Sequence, residues 1–146
     1  MAEQFDVAAG VQVSDEITAG TVVVLDDEGA LTPCRQQYDP RVAGVVSDAG
    51  DRVPALILDR KMQSDAQRPA VAVVGKVWCR ADASAKPIRV GDLLATSSTS
   101  GHAMAALDRE AAWGAVLGKA LTPLRGGRGL VLVSRNAVPL THFAGR

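Results

Sequence analysis

An excess of either charge is missing from this sequence: sixteen lysines and arginines balance sixteen aspartates and glutamates over 146 residues. Attraction to nucleic acid or anionic lipid needs a net positive field, and this chain has none to offer. Aromatic residues are scarce as well, 3% of the chain, comprising two Trp, one Tyr and two Phe. That leaves little material for stacking bases or for flooring a sugar site. Unbroken apolar runs reach about five residues, against the ~20 that a membrane-spanning helix requires. Two His and two Cys at scattered positions have no zinc-ligand spacing, so neither a metal nor a cofactor is expected. Met1 to Asp6 has no basic n-region and no apolar h-region, which predicts cytoplasmic synthesis without a signal peptide. In a reducing compartment Cys34 and Cys79 read as free thiols, with a disulfide as the alternative.

What is present is apolar, glycine-rich and short in period. Hydrophobic residues make up 47% of the chain and glycines number 14. A chain of this length suits one domain that buries about 68–70% of its unfolded surface. The segments Val7–Val13, Thr21–Leu25, Arg41–Val46, Pro54–Leu58, Ala70–Arg80, Ile88–Leu94, Gly114–Ala120 and Leu130–Val133 all read as strands. Asp26-Asp27-Glu28-Gly29 is turn chemistry and predicts a hairpin joining Val24-Leu25 to Ala30-Leu31. Ser97–Gly101 and Arg125–Gly129 read as a loop and a hairpin turn. Residues 103–113 have helical propensity, enough for one short helix of one or two turns. With no second helical period to supply crossovers, the fold class is all-β: a compact sandwich or barrel-like module of short strands. A single β domain over 1–134 with a C-terminal tail over 135–146 follows.

The two halves echo one another. Gly10–Val13 resembles Gly75–Trp78, Ile17–Val23 matches Ile88–Leu94, Gly29–Leu31 parallels Gly101–Ala103, and Val42–Val46 parallels Ala112–Val116. Such matches arise in any glycine-rich β protein, or from duplication of a β unit over about 7–58 and 70–134.

No catalytic constellation emerges, so no catalytic residue is expected. His102 lies beside Ser98 and Ser100, which together make a candidate ligand loop. A serine nucleophile, however, needs a base within reach and a third group to orient it, and no Gly-x-Ser-x-Gly elbow exists. Asp39 in Tyr38-Asp39-Pro40-Arg41 reads as a turn brace partnered by Arg41. Gly126-Gly127-Arg128-Gly129 lacks the strand–loop–helix setting and the Lys-Ser/Thr ending of a phosphate loop.

The ordered set Tyr38–Ser47, Gly75–Cys79, Pro87–Leu94, Gly101–Met104 and Gly114–Leu121 resembles a conserved β-rich module of bacterial and phage fibre-like proteins. The resemblance covers roughly 17–134. More distantly, the Gly-Asp and Gly-Val-Val strand starts are similar to phage head-decoration and tail-associated β modules, which assemble as trimers. The resemblance implies a homotrimeric structural or adhesive element, with no active-site residues to carry over. It also implies a place in a phage-like or cell-surface assembly, while the balanced charge and short apolar runs lead to the expectation of no nucleic-acid and no membrane partner.

Three functional readings follow. The first is a non-enzymatic, self-associating structural, decoration or fibre-type subunit. Its interface would use Trp113 and the tail residues Val138, Leu140 and Phe143, which are too apolar for a solvated extension. The second is a glycan-binding module using the loops Ser97–His102 and Arg60–Arg68, with Tyr38, Trp78 and Trp113 as its aromatic candidates. The third is autoproteolysis or hydrolysis at Ser100–His102.

Overall fold

The computed structural model describes residues 2–47 and 68–135. The strand expected at 54–58, most of the loop Arg60–Arg68 and the tail residues Val138, Leu140 and Phe143 fall outside them. Among the described residues the strands are β1 (Ala2–Gln4), β2 (Val22–Leu25), β3 (Leu31–Pro33), β4 (Val42–Val46) and β5 (Ala70–Ala72). The second half contributes β6 (Gly75–Asp82), β7 (Leu93–Thr96), β8 (Ala103–Ala105), β9 (Val116–Ala120) and β10 (Arg128–Arg135). Two one-turn helices complete the set, α1 (Val13–Glu16) and α2 (Arg109–Ala112). No helix among the described residues is long and apolar enough to cross a membrane.

The protein is all-β, with two five-stranded, mainly antiparallel sheets packed as a sandwich. The first has the order β1-β5-β4-β2-β3, and the second, β10-β6-β8-β7-β9, curls until it closes as a barrel. Closure depends on a parallel bridge, Ala81↔Ala103. An isolated parallel bridge at the matching place, Val7↔Leu31, draws the outer strands of the first sheet together.

The two halves share their pairing residue by residue. Val22↔Val45 and Val23↔Gly44 are followed by a bulge and then Val24↔Val42. Leu93↔Lys119 and Leu94↔Gly118 are followed by a bulge and then Ala95↔Val116. The hairpin registers Val23↔Pro33 and Leu25↔Leu31 correspond to Leu94↔Ala105 and Thr96↔Ala103. Val45↔Ala72 and Val46↔Val71 correspond to Lys119↔Ser134 and Ala120↔Val133. Ala2↔Ala72 and Gln4↔Ala70 correspond to Lys76↔Ser134 and Trp78↔Leu132. Ile17–Val23 and Gly29–Leu31 thus align with Ile88–Leu94 and Gly101–Ala103, as in the sequence comparison. By contrast, Val42–Val46 aligns with Val116–Ala120 rather than with 112–116, and β6 aligns with β1 rather than with Gly10–Val13.

Elsewhere the backbone departs from the sequence reading for local reasons. Val7–Val13 is not a strand: after the Val7 bridge the chain turns at Gly10 and enters α1, a second helical turn that the sequence reading lacks. Ala70–Arg80 is split at residues 73–74, where the chain leaves the first sheet for the second. Of the helical 103–113 segment, Ala103–Ala105 is claimed by pairing with β7, so tertiary pairing overrides propensity. The remainder keeps one turn because Asp108 Oδ1 accepts from the N–H groups of Glu110 and Ala111 at 3.0 and 3.1 Å.

Each half has its own interior, built from matched positions. Ile17, Val23, Leu31, Val46 and Val71 fill the first, where Ile88, Leu94, Ala103, Ala120 and Val133 fill the second. The β2 run Val22–Leu25 looks unpatterned because both its faces are buried. Val23 points into its own half, whereas Val22 and Val24 join Cys34, Val45 and Ala72 in the core of the barrel. At ~1.5–3 kcal/mol per fully buried large aliphatic side chain, this shared core binds the halves strongly.

Backbone bonds sew the same seam. Arg80 N–H donates to the Gly20 carbonyl at 2.9 Å, Val22 N–H to Gly101 at 2.9 Å, and Gly101 N–H to Cys34 at 2.9 Å. Arg135 completes it: Nε donates to the Leu117 carbonyl at 2.8 Å. Its Nη1 lies 3.2 Å from the carbonyls of Ala43, Ala72 and Val73. The strand thus continues through Arg135, one residue past the boundary drawn at 134.

Two predictions follow from this packing. Arg135→Ala strands carbonyls from both halves and should destabilise the protein by about 1.5–3 kcal/mol, measured as a lower urea midpoint, with Arg135→Lys recovering only part of the loss. Gly118→Ala should cost about 1–3 kcal/mol, because an added Cβ would lie 2.6 Å from the Ser134 carbonyl oxygen and from Val133 Cγ1. The equivalent Gly44 faces Ala72 and Val71 in the same way.

Candidate functional site

The loop Ser97–His102 joins β7 to β8 and lies where the two halves meet. Ser97 Oγ donates to the His102 carbonyl at 2.6 Å and accepts from Thr99 N–H at 3.1 Å, which folds the loop back on itself. Thr99 Oγ1 donates to Asp82 Oδ2 at 2.7 Å, fixing the loop to the end of β6. Beside it opens a cleft of about 190 Å³. Asp15, Glu16, Thr18, Thr21 and Pro33 line it from the first half, and Arg80, Ser100, Gly101 and His102 from the second.

Of the three candidate loop residues, Ser100 and His102 reach the cleft, while Ser98 is exposed and not among its lining residues. His102 Nδ1 lies 2.9 Å from the Ser100 carbonyl, which can only accept, so Nδ1 carries the hydrogen. That contact is to a main-chain carbonyl and not to a serine hydroxyl. Arg80 Nη2 donates to Thr18 Oγ1 at 3.1 Å across the seam. Glu16 accepts from Gln12 N–H at 3.1 Å and sits 3.7 Å from Arg35. The cleft therefore presents polar side chains at the junction of the halves, braced there by the Arg80–Thr18 bond, and its lining residues include no Phe, Tyr or Trp.

The aromatic candidates separate. Trp78 and Trp113 are about half exposed on the second half. The Tyr38 hydroxyl instead accepts from the N–H groups of Leu107 and Asp108 at 3.0 and 3.1 Å, tying the first half to the entry of α2. Asp39 is buried and braces its turn: Oδ1 accepts from Arg41 N–H at 2.9 Å, and Asp39 N–H donates to Thr96 Oγ1 at 2.8 Å. The glycine-rich loop before β10 gives its Gly127 carbonyl to Ala83 N–H at 2.7 Å. Cys34 and Cys79 are both free and buried, and burial raises the pKa of each thiol. Among the described residues no group of three or more His, Cys, Asp or Glu could hold a metal ion.

Sequence reasoning missed Asp82, whose main partner, Thr99, lies 17 residues away in the chain. The Thr99 hydroxyl first, then Ser84 and the nearby Arg128, hold its carboxyl down at about 2 against an ordinary 3.8. A carboxylate whose pKa is depressed on folding stabilises the fold above its unfolded pKa, and that contribution is lost as pH falls through the folded value. Asp82→Asn should therefore be less stable than the parent at neutral pH. The gap should shrink as pH falls from about 3.8 to about 2, as followed by thermal melts across that range.

No protein-family model matches this chain, and no curated protein and no solved structure matches it either.

Proposed function

We propose that this protein is a non-enzymatic, self-associating structural subunit of the decoration or fibre type. It works as a homotrimer within a larger phage-like or cell-surface assembly. The observation that carries this reading is the set of large apolar side chains left exposed on the second half. Trp78, Val90, Leu93, Leu107, Trp113 and Leu130 are 39–63% exposed, and all belong to the second half. Large apolar surface left in contact with water supports a protein contact. Trp113 is among them, in keeping with the interface role expected for it. The homotrimer itself rests on the resemblance to trimeric β modules.

The glycan reading has less support, because the residues lining the cleft beside Ser100 and His102 include no Phe, Tyr or Trp. A hydrolytic role at the same loop has less still, because the one bond described for the His102 ring is to a main-chain carbonyl and not to a serine hydroxyl. Val138, Leu140 and Phe143 belong to the same interface in this proposal, on the strength of their apolar character.

Size-exclusion chromatography with light scattering at micromolar concentration is the test. The expected result is a mass three times the 15.2 kDa of one chain. A monomer under those conditions would refute the proposal. Deletion of residues 136–146 should lower the oligomeric fraction and leave the far-ultraviolet β signal unchanged.

A further inference from the structure

The matched registers of the two halves identify a specific pair of faces. Within one chain, the first half docks on the barrel by inserting Gly20–Val22 beside β6. Gly20 takes the N–H of Arg80 and Val22 donates to Gly101, while Arg80 reaches Thr18. Val22, Cys34 and Val45 are wholly buried by that contact and the core it joins. The residues of the barrel at the same positions as Gly20, Val22 and Val45 are Gly91, Leu93 and Lys119. Those three are exposed, and Val90 and Leu107, which stand where Ala19 and Arg35 stand in the first half, are more than 60% exposed.

The receiving surface is duplicated too. Arg80 and Gly101, which accept the insertion on the barrel, correspond to Asp6 and Gly29 on the first half. Both are exposed, and among the described residues no bond joins Leu93 to Gly29 or Gly91 to Asp6. The chain therefore carries one filled copy of this contact and the two unfilled halves of another.

Charge favours filling it with a second copy. Arg89 stands at the position of Thr18, and Asp6 at the position of Arg80, so the bond from Arg80 to Thr18 would be replaced by an ion pair. The acidic turn Asp26-Asp27-Glu28 flanks the receiving side, and Lys119 flanks the inserting side. Asp6 already meets Arg68 at 3.1 Å and Asp27 meets Arg41 at 3.4 Å, while Asp92 on the inserting side is engaged by Arg89 N–H at 2.9 Å.

We infer that the exposed Val90–Leu93 edge of the barrel inserts beside β1 of a second copy, against Asp6 and Gly29, repeating between chains the contact made within each. This rests on the self-association proposed above and specifies its faces. The contact is head-to-tail, so it closes into a ring or grows as a filament, and it is not a two-fold dimer.

The wild-type chain and three variants are compared by light scattering, with melting curves confirming the fold. Leu93→Asp should run as a monomer of 15.2 kDa with near-parental melting. Arg89→Glu and Asp6→Arg should each reduce the oligomeric fraction at least tenfold in dissociation constant. The chain carrying both changes should recover most of the parental assembly. An oligomeric wild type whose mass is unmoved by Leu93→Asp would overturn this interface and leave self-association standing. Absence of rescue in the doubly changed chain would overturn the Asp6–Arg89 pairing. A monomeric wild type would remove the self-association reading itself.

Discussion

The insertion of Gly20–Val22 beside β6 is the constraint on which the rest of the fold depends. A barrel of five short strands has a small interior, and this one is closed between β6 and β8 by a single parallel bridge. On the far side of that bridge the free backbone groups of β6 would face water or stay unpaired. The first half supplies the missing partners, with the Gly20 carbonyl for Arg80 and the Val22 amide for Gly101. Unpaired buried backbone groups cost as much as lost hydrogen bonds, so neither half is complete without the other. Arg135 extends the same logic from the opposite strand, since its four carbonyl acceptors come from β4, β5, the linker after β5, and β9. Burial lowers the pKa of its guanidinium, which still keeps its charge because no arginine titrates near neutral pH.

The two halves show how one backbone plan accepts different side chains when its surroundings differ. Register, bulge position and the tight glycines Gly44 and Gly118 are shared because they concern the backbone. Interior positions keep apolar character but trade volume, as in Val23 for Leu94 and Leu31 for Ala103, which keeps each interior filled. The outward positions diverge most. Val45 is buried at the seam, while Lys119 at the same register position is exposed.

Much of the fold was legible in the sequence, and the failures have physical causes. Thr21–Leu25 and the acidic Asp26–Gly29 turn were readable because β-branched runs and turn chemistry act locally: Asp26 Oδ1 holds the N–H groups of Glu28 and Ala30. Ala103–Ala105 was not, since alanine and methionine favour helix and only pairing with β7 makes them a strand. The break at residues 73–74 was hidden inside one apolar run, because leaving one sheet for another changes partners without changing hydrophobicity. At the site, Ser100 and His102 were found from polar composition. Asp82 was not, because the Thr99 hydroxyl that lowers its pKa comes from a loop 17 residues away. Arg135 was assigned to a polar tail for the same reason: its acceptors are backbone carbonyls, which leave no trace in residue type.

The cleft belongs to the architecture of the seam. The cleft lies where Thr18 and Thr21 of the first half meet Arg80 and Gly101 of the barrel, so it is the outer margin of the seam. There the Arg80 guanidinium bridges the halves through its bond to the Thr18 hydroxyl. A polar rim around an apolar centre is how stable protein contacts are generally built. The buried centre here is Val22, Cys34 and Val45, and the rim includes Ser100 and His102, two of the three residues that sequence reading took for a ligand loop. Ser100 and His102 thus stand at the edge of an interface within the chain.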